Sequence, residues 1–258
     1  MKQTREIDSI NSNKLKYSIC TLVTDLEEYQ KMKNSFHELG FDDNNSEFIY
    51  VDNKNNKYDA YEGINKLINC SSGRYIIVCH QDIELLDDDE KKLDFLLNEL
   101  YKIDSNWSVA GNAGGISLGK LSIRISDPHG KNVKVGNFPQ IVNSLDENFL
   151  ILRRDANLGF SHNLNGFHLY GTDICFLAKI RGYNSYVIDF HLLHKSPGNV
   201  SNDFFKLRKD FISKYQIAFK PRIIQTTCTN MFISSSRLLN NIMTQSILNK
   251  IKRIIVKK

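Results

Sequence analysis

The sequence predicts an α/β chain: a mostly parallel central sheet flanked by helices, with a helical C-terminal extension. Three observations carry this. Strand-like and helix-like segments alternate through the first 80 residues, a turn-rich interval occupies 112 to 140, and the character changes beyond 200. YSICTLV at 17 to 23 is apolar and β-rich. Asp25 with Glu28 three residues on resembles a capping box for a helix that sets Tyr29, Met32, Phe36 and Leu39 on one face, and Gly40 stops it. EFIYV at 47 to 51 is a second strand. The polar turn DNKNNK then leads into a helix carrying Ala60, Ile64, Leu67 and Ile68. RYIIVC at 74 to 79 is a third strand, ending at His80. Alternation of this kind argues for parallel strands covered on both faces, whose carboxyl ends collect ligands.

Leu93, Leu96, Leu97 and Leu100 mark a further helix, and WSVAG at 107 to 111 a buried strand. From 112 to 140 Gly, Asn and Ser surround short alternating pieces such as LSIRIS. This interval reads as a loop carrying a small hairpin, ordered by ligand, with Gly111, Gly114 and Gly115 in a mobile flap. FLILRR at 149 to 154 is strand-like, 172 to 181 forms a helix started by Thr172, and NSYVID at 184 to 189 is another strand. Pro197 and Gly198 break the chain, after which Phe204, Phe205, Leu207, Phe211 and Tyr215 read as helix. The last segment sets Ile247, Leu248, Ile251, Ile254 and Ile255 beside Lys250, Lys252, Arg253, Lys257 and Lys258. The expected division is a polar tail over 1–16, a core domain over 17–200 and a helical, basic extension over 201–258.

At 258 residues, 41% hydrophobic and 24% charged, the chain is long enough for a sizeable core and is neither disordered nor fibrous in composition. A net charge of +5 is too modest to call for nucleic acid. The five cysteines, at 20, 70, 79, 175 and 228, hold no C-x-x-C pair, which speaks against a disulfide framework or structural zinc and for a reducing cytosol. No apolar run approaches the ~20 residues that cross a bilayer. The expected location is therefore cytoplasmic. The basic tail either docks on the core or lies peripherally on the anionic inner face of the cell membrane.

Chemistry is expected where IIVC runs into HQDIEL, which puts His80, Asp82 and Glu84 at the carboxyl edge of the sheet. A carboxylate there can ligate a divalent cation, and the cation can neutralise a leaving diphosphate. An isolated H-x-D also begins many solvated loops. Asp52, in YVDN one strand over, is placed to accept hydrogen bonds from a nucleobase or ribose, or simply to start a turn.

The ordered series YSICTLVTD, EFIYVDN and YDAYEGINKLINCSSGRYIIVCHQDIEL resembles the nucleotide-binding half of family 2 glycosyltransferases with the GT-A (nucleotide-diphospho-sugar transferase) fold. SLDENFLILRRD, GFHLYGTDICFLAKIRGYNSYVID and LLHKSPGN are similar to the acceptor half of the same enzymes. The resemblance covers roughly 17 to 200 and is nearest to a bacterial branch that writes the D-x-D element as H-Q-D.

It implies an inverting, metal-dependent transfer of a sugar from a nucleotide-diphosphate donor to a hydroxyl of a glycan or lipid-linked acceptor, in bacterial surface polysaccharide synthesis. Mg²⁺ or Mn²⁺ is the implied cofactor. Asp52 becomes a uridine- or thymidine-contacting carboxylate, Asp82 the metal-bound aspartate, and His80 the replacement for the first aspartate at the ribose. Asp173, in YGTD, matches the general base; it is also a first-turn helix residue. His194, in LLHKSPG, is the implied third metal ligand, with His191 three residues before it as a competitor. Asp146 resembles an acidic contact to donor sugar or acceptor, a task its neighbour Glu147 can also fill. The alternative is a non-catalytic nucleotide-sugar or glycan binding module on the same fold. A nucleotidyltransferase is disfavoured, since TDLEE stands where a Gly-rich basic loop would be needed.

Overall fold

The computed structural model describes residues 15–198 and 202–243. The basic segment over 247–258 and nearly all of the polar segment over 1–16 lie outside them. The chain divides into two compact units, Met1–Leu207 and Arg208–Lys258.

The first unit begins with β1 (Tyr17–Val23), α1 (Leu26–Glu38), β2 (Ser46–Asp52), α2 (Ala60–Cys70) and β3 (Tyr75–Cys79). Then come β4 (Ile83–Leu85), α3 (Glu90–Ile103), β5 (Trp107–Gly111), β6 (Ala113–Ser117), β7 (Lys120–Asp127) and β8 (Gly130–Val135). The remainder is β9 (Gln140–Val142), β10 (Ser144–Leu145), β11 (Phe149–Arg153), α4 (Tyr170–Ile180), β12 (Asn184–Val187) and β13 (Leu192–His194). A seven-stranded sheet runs in the order β2-β1-β3-β11-β5-β12-β9. β1 pairs in parallel with β2 and β3, and β12 with β5, whereas β11 lies antiparallel between β3 and β5 and β9 is antiparallel on β12. The sheet is thus mixed, with five of its strands running one way. The expectation of a mostly parallel sheet missed the reversed β11 because a wholly buried run reads the same in either direction.

All five residues of β3 and all five of β11 are buried, which is why neither shows an alternating pattern. The helices start on carboxylate caps: Asp25 accepts from the Glu27 and Glu28 amides, Asp59 from Glu62 and Asp89 from Lys92. α1 turns Tyr29, Met32 and Phe36 into the core, where Tyr75 stacks on Trp107 with ring centroids 6.0 Å apart.

The turn-rich interval is not a flap. β6, β7 and β8 are successive antiparallel strands within a second sheet, ordered β10-β6-β7-β13-β4 with β8 on β7. Its glycines answer to close packing: a Cβ on Gly114 would stand 2.4 Å from the Ser144 carbonyl oxygen across the β6–β10 pair.

α5 (Asn202–Ala218) begins in the first unit and continues into the second. The second unit then forms β14 (Arg222–Gln225), β15 (Asn230–Ile233) and the short α6 (Arg237–Ile242). The extension is therefore not helical throughout. RIIQ and NMFI pair antiparallel around a four-residue loop in which Thr226 and Thr229 bond each other.

Candidate active site

The site grows from the end of β3. The His80 amide donates to the Asn148 carbonyl at 3.1 Å, which ties the segment before β11 to the HQD segment. Gln81, the middle residue, points the other way. Its Oε1 accepts from the Thr24 and Asp25 amides at 2.8 and 3.1 Å, and its Nε2 donates to Thr24 Oγ1 and Glu28 Oε2. Half of the expected capping box is consequently altered: the Asp25 amide is satisfied by Gln81, not by Glu28. β4 next pairs antiparallel with β13, and the register sets His194 opposite Ile83 and so beside Asp82. Lys195 fixes the register, its amide donating to the Asp82 carbonyl at 3.0 Å and its ammonium reaching Glu84 at 2.5 Å.

His80, Asp82 and His194 thereby converge. His80 Nδ1 lies 3.4 Å from His194 Nε2 and 3.8 Å from Asp82 Oδ1, and His194 Nε2 lies 3.5 Å from the same oxygen. The three ligand atoms all fall within 4.8 Å of one another. His194 and Asp82 keep only 12% and 19% of their side-chain surface. Burial pulls His80 below the usual imidazole range, helped by the charge of His194. Burial alone would raise Asp82, but the hydrogen bond and charge of His194, together with His80, hold its carboxyl below the ordinary value. For His194 burial works downward and is outweighed by Asp82, so its pKa lies above the usual one. On its far side, His80 Nε2 sits 2.8 Å from the Tyr170 hydroxyl, which donates to the Glu147 carbonyl at 3.2 Å. Nε2 is thus engaged on the Tyr170 side, and Nδ1 is the ring nitrogen that faces Asp82 and His194. Two imidazoles and a carboxylate, one ring oriented from behind, fit a divalent cation, and Mn²⁺ suits this set better than oxygen-seeking Mg²⁺.

The cluster borders a pocket of about 270 Å³. Leu22, Ile64 and Val78 give it an apolar wall, Phe167 adds an exposed ring, and His80, Asp82 and Tyr170 supply the polar side. Asp52 is not among its lining residues. That carboxylate is exposed and accepts from the Lys54 amide at 3.2 Å, while the neighbouring Asn53 lines the pocket with its amide bonded to the Tyr58 backbone.

Asp146 is exposed, and its charge reaches His80, His194 and Glu147. Glu147 is half-buried at the start of α4. Burial first, then the Asp146 charge, push its carboxyl up to about 8 against the opposing hydrogen bonds of the Leu169 and Gly171 amides. Leu169, at φ 60°, adopts the left-handed turn that opens this helix end. Gly171 is required there, since a Cβ would stand 2.3 Å from the Leu145 carbonyl oxygen.

Three expectations are corrected. α4 starts at Tyr170, two residues before the expected Thr172, and Asp173 does not line the pocket: it is fully buried, and its carboxylate accepts from Ser161 N at 2.8 Å and Ser161 Oγ at 2.7 Å. A buried carboxylate occupied in this way holds the 160s segment against α4. Asp173→Asn is accordingly expected to cost about 1–3 kcal/mol in stability through a weakened pair of Ser161 bonds. Donor affinity should change less than about threefold; thermal melts and donor titration check both. His191 does not compete with His194. It is buried elsewhere, with Nε2 2.9 Å from Ser126 Oγ and its amide donating to Asp88.

Sequence reasoning missed Tyr170 and Gln81. Tyr170 stands three residues before the aspartate that drew attention, and nothing in LYGTD marks its hydroxyl as aimed at a histidine 90 residues earlier. Gln81 was visible as the centre of HQD, but its partners lie in the turn after β1 and in the first turn of α1.

The described residues thus form a mixed α/β fold. It is similar to TarS of S. aureus: TarS 1–349 in complex with UDP-GlcNAc matches with a TM-score of 0.52 at 12% identity, over 78% of this chain and 67% of that one. The complex of the same fragment with UDP matches with a TM-score of 0.51 at 13% identity, over 78% and 66%. Against a longer TarS chain the TM-score is 0.51, and this chain spans 40% of its length. No model of a known protein family matches. The chain belongs to the family of the "ATP synthase subunits region ORF 6" protein of Fuscovulum blasticum, 36% identical over 217 residues that cover 81% of this chain and 87% of the relative. That relative's name states no activity.

Proposed function

We propose that the protein is a glycosyltransferase that takes a sugar from a nucleoside diphosphate and passes it, with inversion, to a hydroxyl of a glycan or lipid-linked glycan, in the making of bacterial surface polysaccharide. The observation that carries this reading is the convergence of His80, Asp82 and His194 at the carboxyl end of β3, with His80 and Asp82 lining the pocket, in a fold similar to that of TarS. His80, Asp82 and His194 would hold a divalent cation, which would supply positive charge to the leaving diphosphate. The apolar wall and Phe167 receive the nucleoside, and the exposed Asp52 beside Asn53 is left to accept its hydroxyls from the rim. Glu147 replaces Asp173 as the proposed base. Its backbone carbonyl accepts from Tyr170, which reaches His80; its side chain is half-buried, and burial with the Asp146 charge pushes its carboxyl up to about 8, near enough to neutrality for a base. Asp146 beside it is the proposed contact to sugar or acceptor.

A thermal-shift screen of nucleotide sugars with and without Mn²⁺ tests the reading. A donor present at about 100 times its Kd should add about 2.7 kcal/mol, or about 5 °C, and only with the cation. Cation-dependent release of nucleoside diphosphate must accompany it. No shift with any donor defeats the proposal, and a shift without release on any acceptor favours a binding module.

A further inference from the structure

The second unit differs in charge from the rest of the chain. Between residues 208 and 258 eleven lysines and arginines face the single acidic Asp210, a net +10, whereas residues 1–207 carry a net −5. Six of those cations, from Arg208 to Arg237, fall among the described residues. The same stretch exposes large apolar side chains: Ile212, Ile217, Phe219, Ile223 and Ile233 keep between 44% and 67% of their surface. The β14–β15 ribbon is the sharpest case. Its register pairs Ile223 with Phe232 and Ile224 with Met231, so adjacent apolar pairs point to opposite faces, yet every residue of β14 is exposed. A two-stranded ribbon is marginal alone, and apolar residues on both faces call for a covering surface.

We infer that this helix and ribbon form a docking surface for an anionic lipid bilayer. Exposed isoleucine and phenylalanine can enter the headgroup boundary while the surrounding cations meet lipid phosphates. A protein partner of ordinary charge would not explain a net charge concentrated in about one fifth of the chain. No helix among the described residues is long and apolar enough to cross a membrane, so the contact is peripheral.

The test is co-sedimentation of the full chain with vesicles of phosphatidylcholine alone or with about 30% phosphatidylglycerol, at low salt and at about 0.5 M NaCl. Binding is expected on the anionic vesicles only, and high salt should release it. Lys209→Gln/Lys220→Gln should weaken it about tenfold or more, and Ile217→Ser/Ile223→Ser likewise, with unchanged circular dichroism; all four positions are exposed. Equal binding to neutral vesicles, no binding to either, or variants that bind as the native chain does would overturn the inference. So would concentration-dependent dimerisation that the same substitutions abolish in the absence of lipid.

Discussion

Asp82→Asn is expected to lower sugar transfer by at least about 100-fold, with the chain still folded. The carboxylate is the one anionic member of the three-residue cradle, and both imidazoles lean on it, His194 Nε2 at 3.5 Å and His80 Nδ1 at 3.8 Å. An amide oxygen keeps the shape but loses the charge that favours a dication, and even losses behind a ligand cost about 10–100-fold in metal affinity. The melting temperature should hardly move, because Asp82 lies at a strand end and no core packing is lost. Titration of Mn²⁺ into native and variant protein separates this from misfolding. Full turnover with asparagine at this position would remove the cation from the proposed mechanism.

Glu147→Gln is the second large effect. As the proposed base it should lower turnover by about 10²–10⁴-fold while donor and cation binding stay within a few-fold. The same substitution has a stability signature. Burial and Asp146 raise the folded-state pKa to about 8 from the ordinary 4.5, so folding favours the protonated form. The associated stability is fully present below about pH 4.5 and is lost as pH rises through about 8. The substituted amide cannot ionise, so the variant should melt higher than the native chain above about pH 8, by about 1–2 kcal/mol once partial exposure is allowed for. A variant with lost turnover but unchanged alkaline stability would show that the carboxyl is not held in its protonated state. Unchanged turnover would return the search for a base to other residues.

Much of this was legible before any coordinates. The first three strands, α1 and α2 announce themselves through β-rich runs, through Asp25 just ahead of an apolar stripe and through the polar turn DNKNNK before Ala60, and the β3 edge is where polar side chains abruptly replace a buried run. Hidden from sequence were features decided by pairing between distant segments. β11 reverses the sheet, yet its FLILR carries no mark of direction. The Gly-rich interval looked loose because its glycines serve close strand approach, which composition cannot distinguish from flexibility. Asp173 and Glu147 show the same limit at the site. Both are acids near the start of α4, and their partners come from segments the sequence does not bring together: Ser161 holds the first, while the Gly171 and Leu169 amides meet the second.

The β4–β13 register carries a final consequence. His80 and His194 are 114 positions apart, and the side-chain period of a strand means that a slip of one residue would turn His194 to the opposite face. The proposed cation site is therefore complete only where β13 lies in register on β4: without that pairing, His80 and Asp82 stand without the third donor, His194.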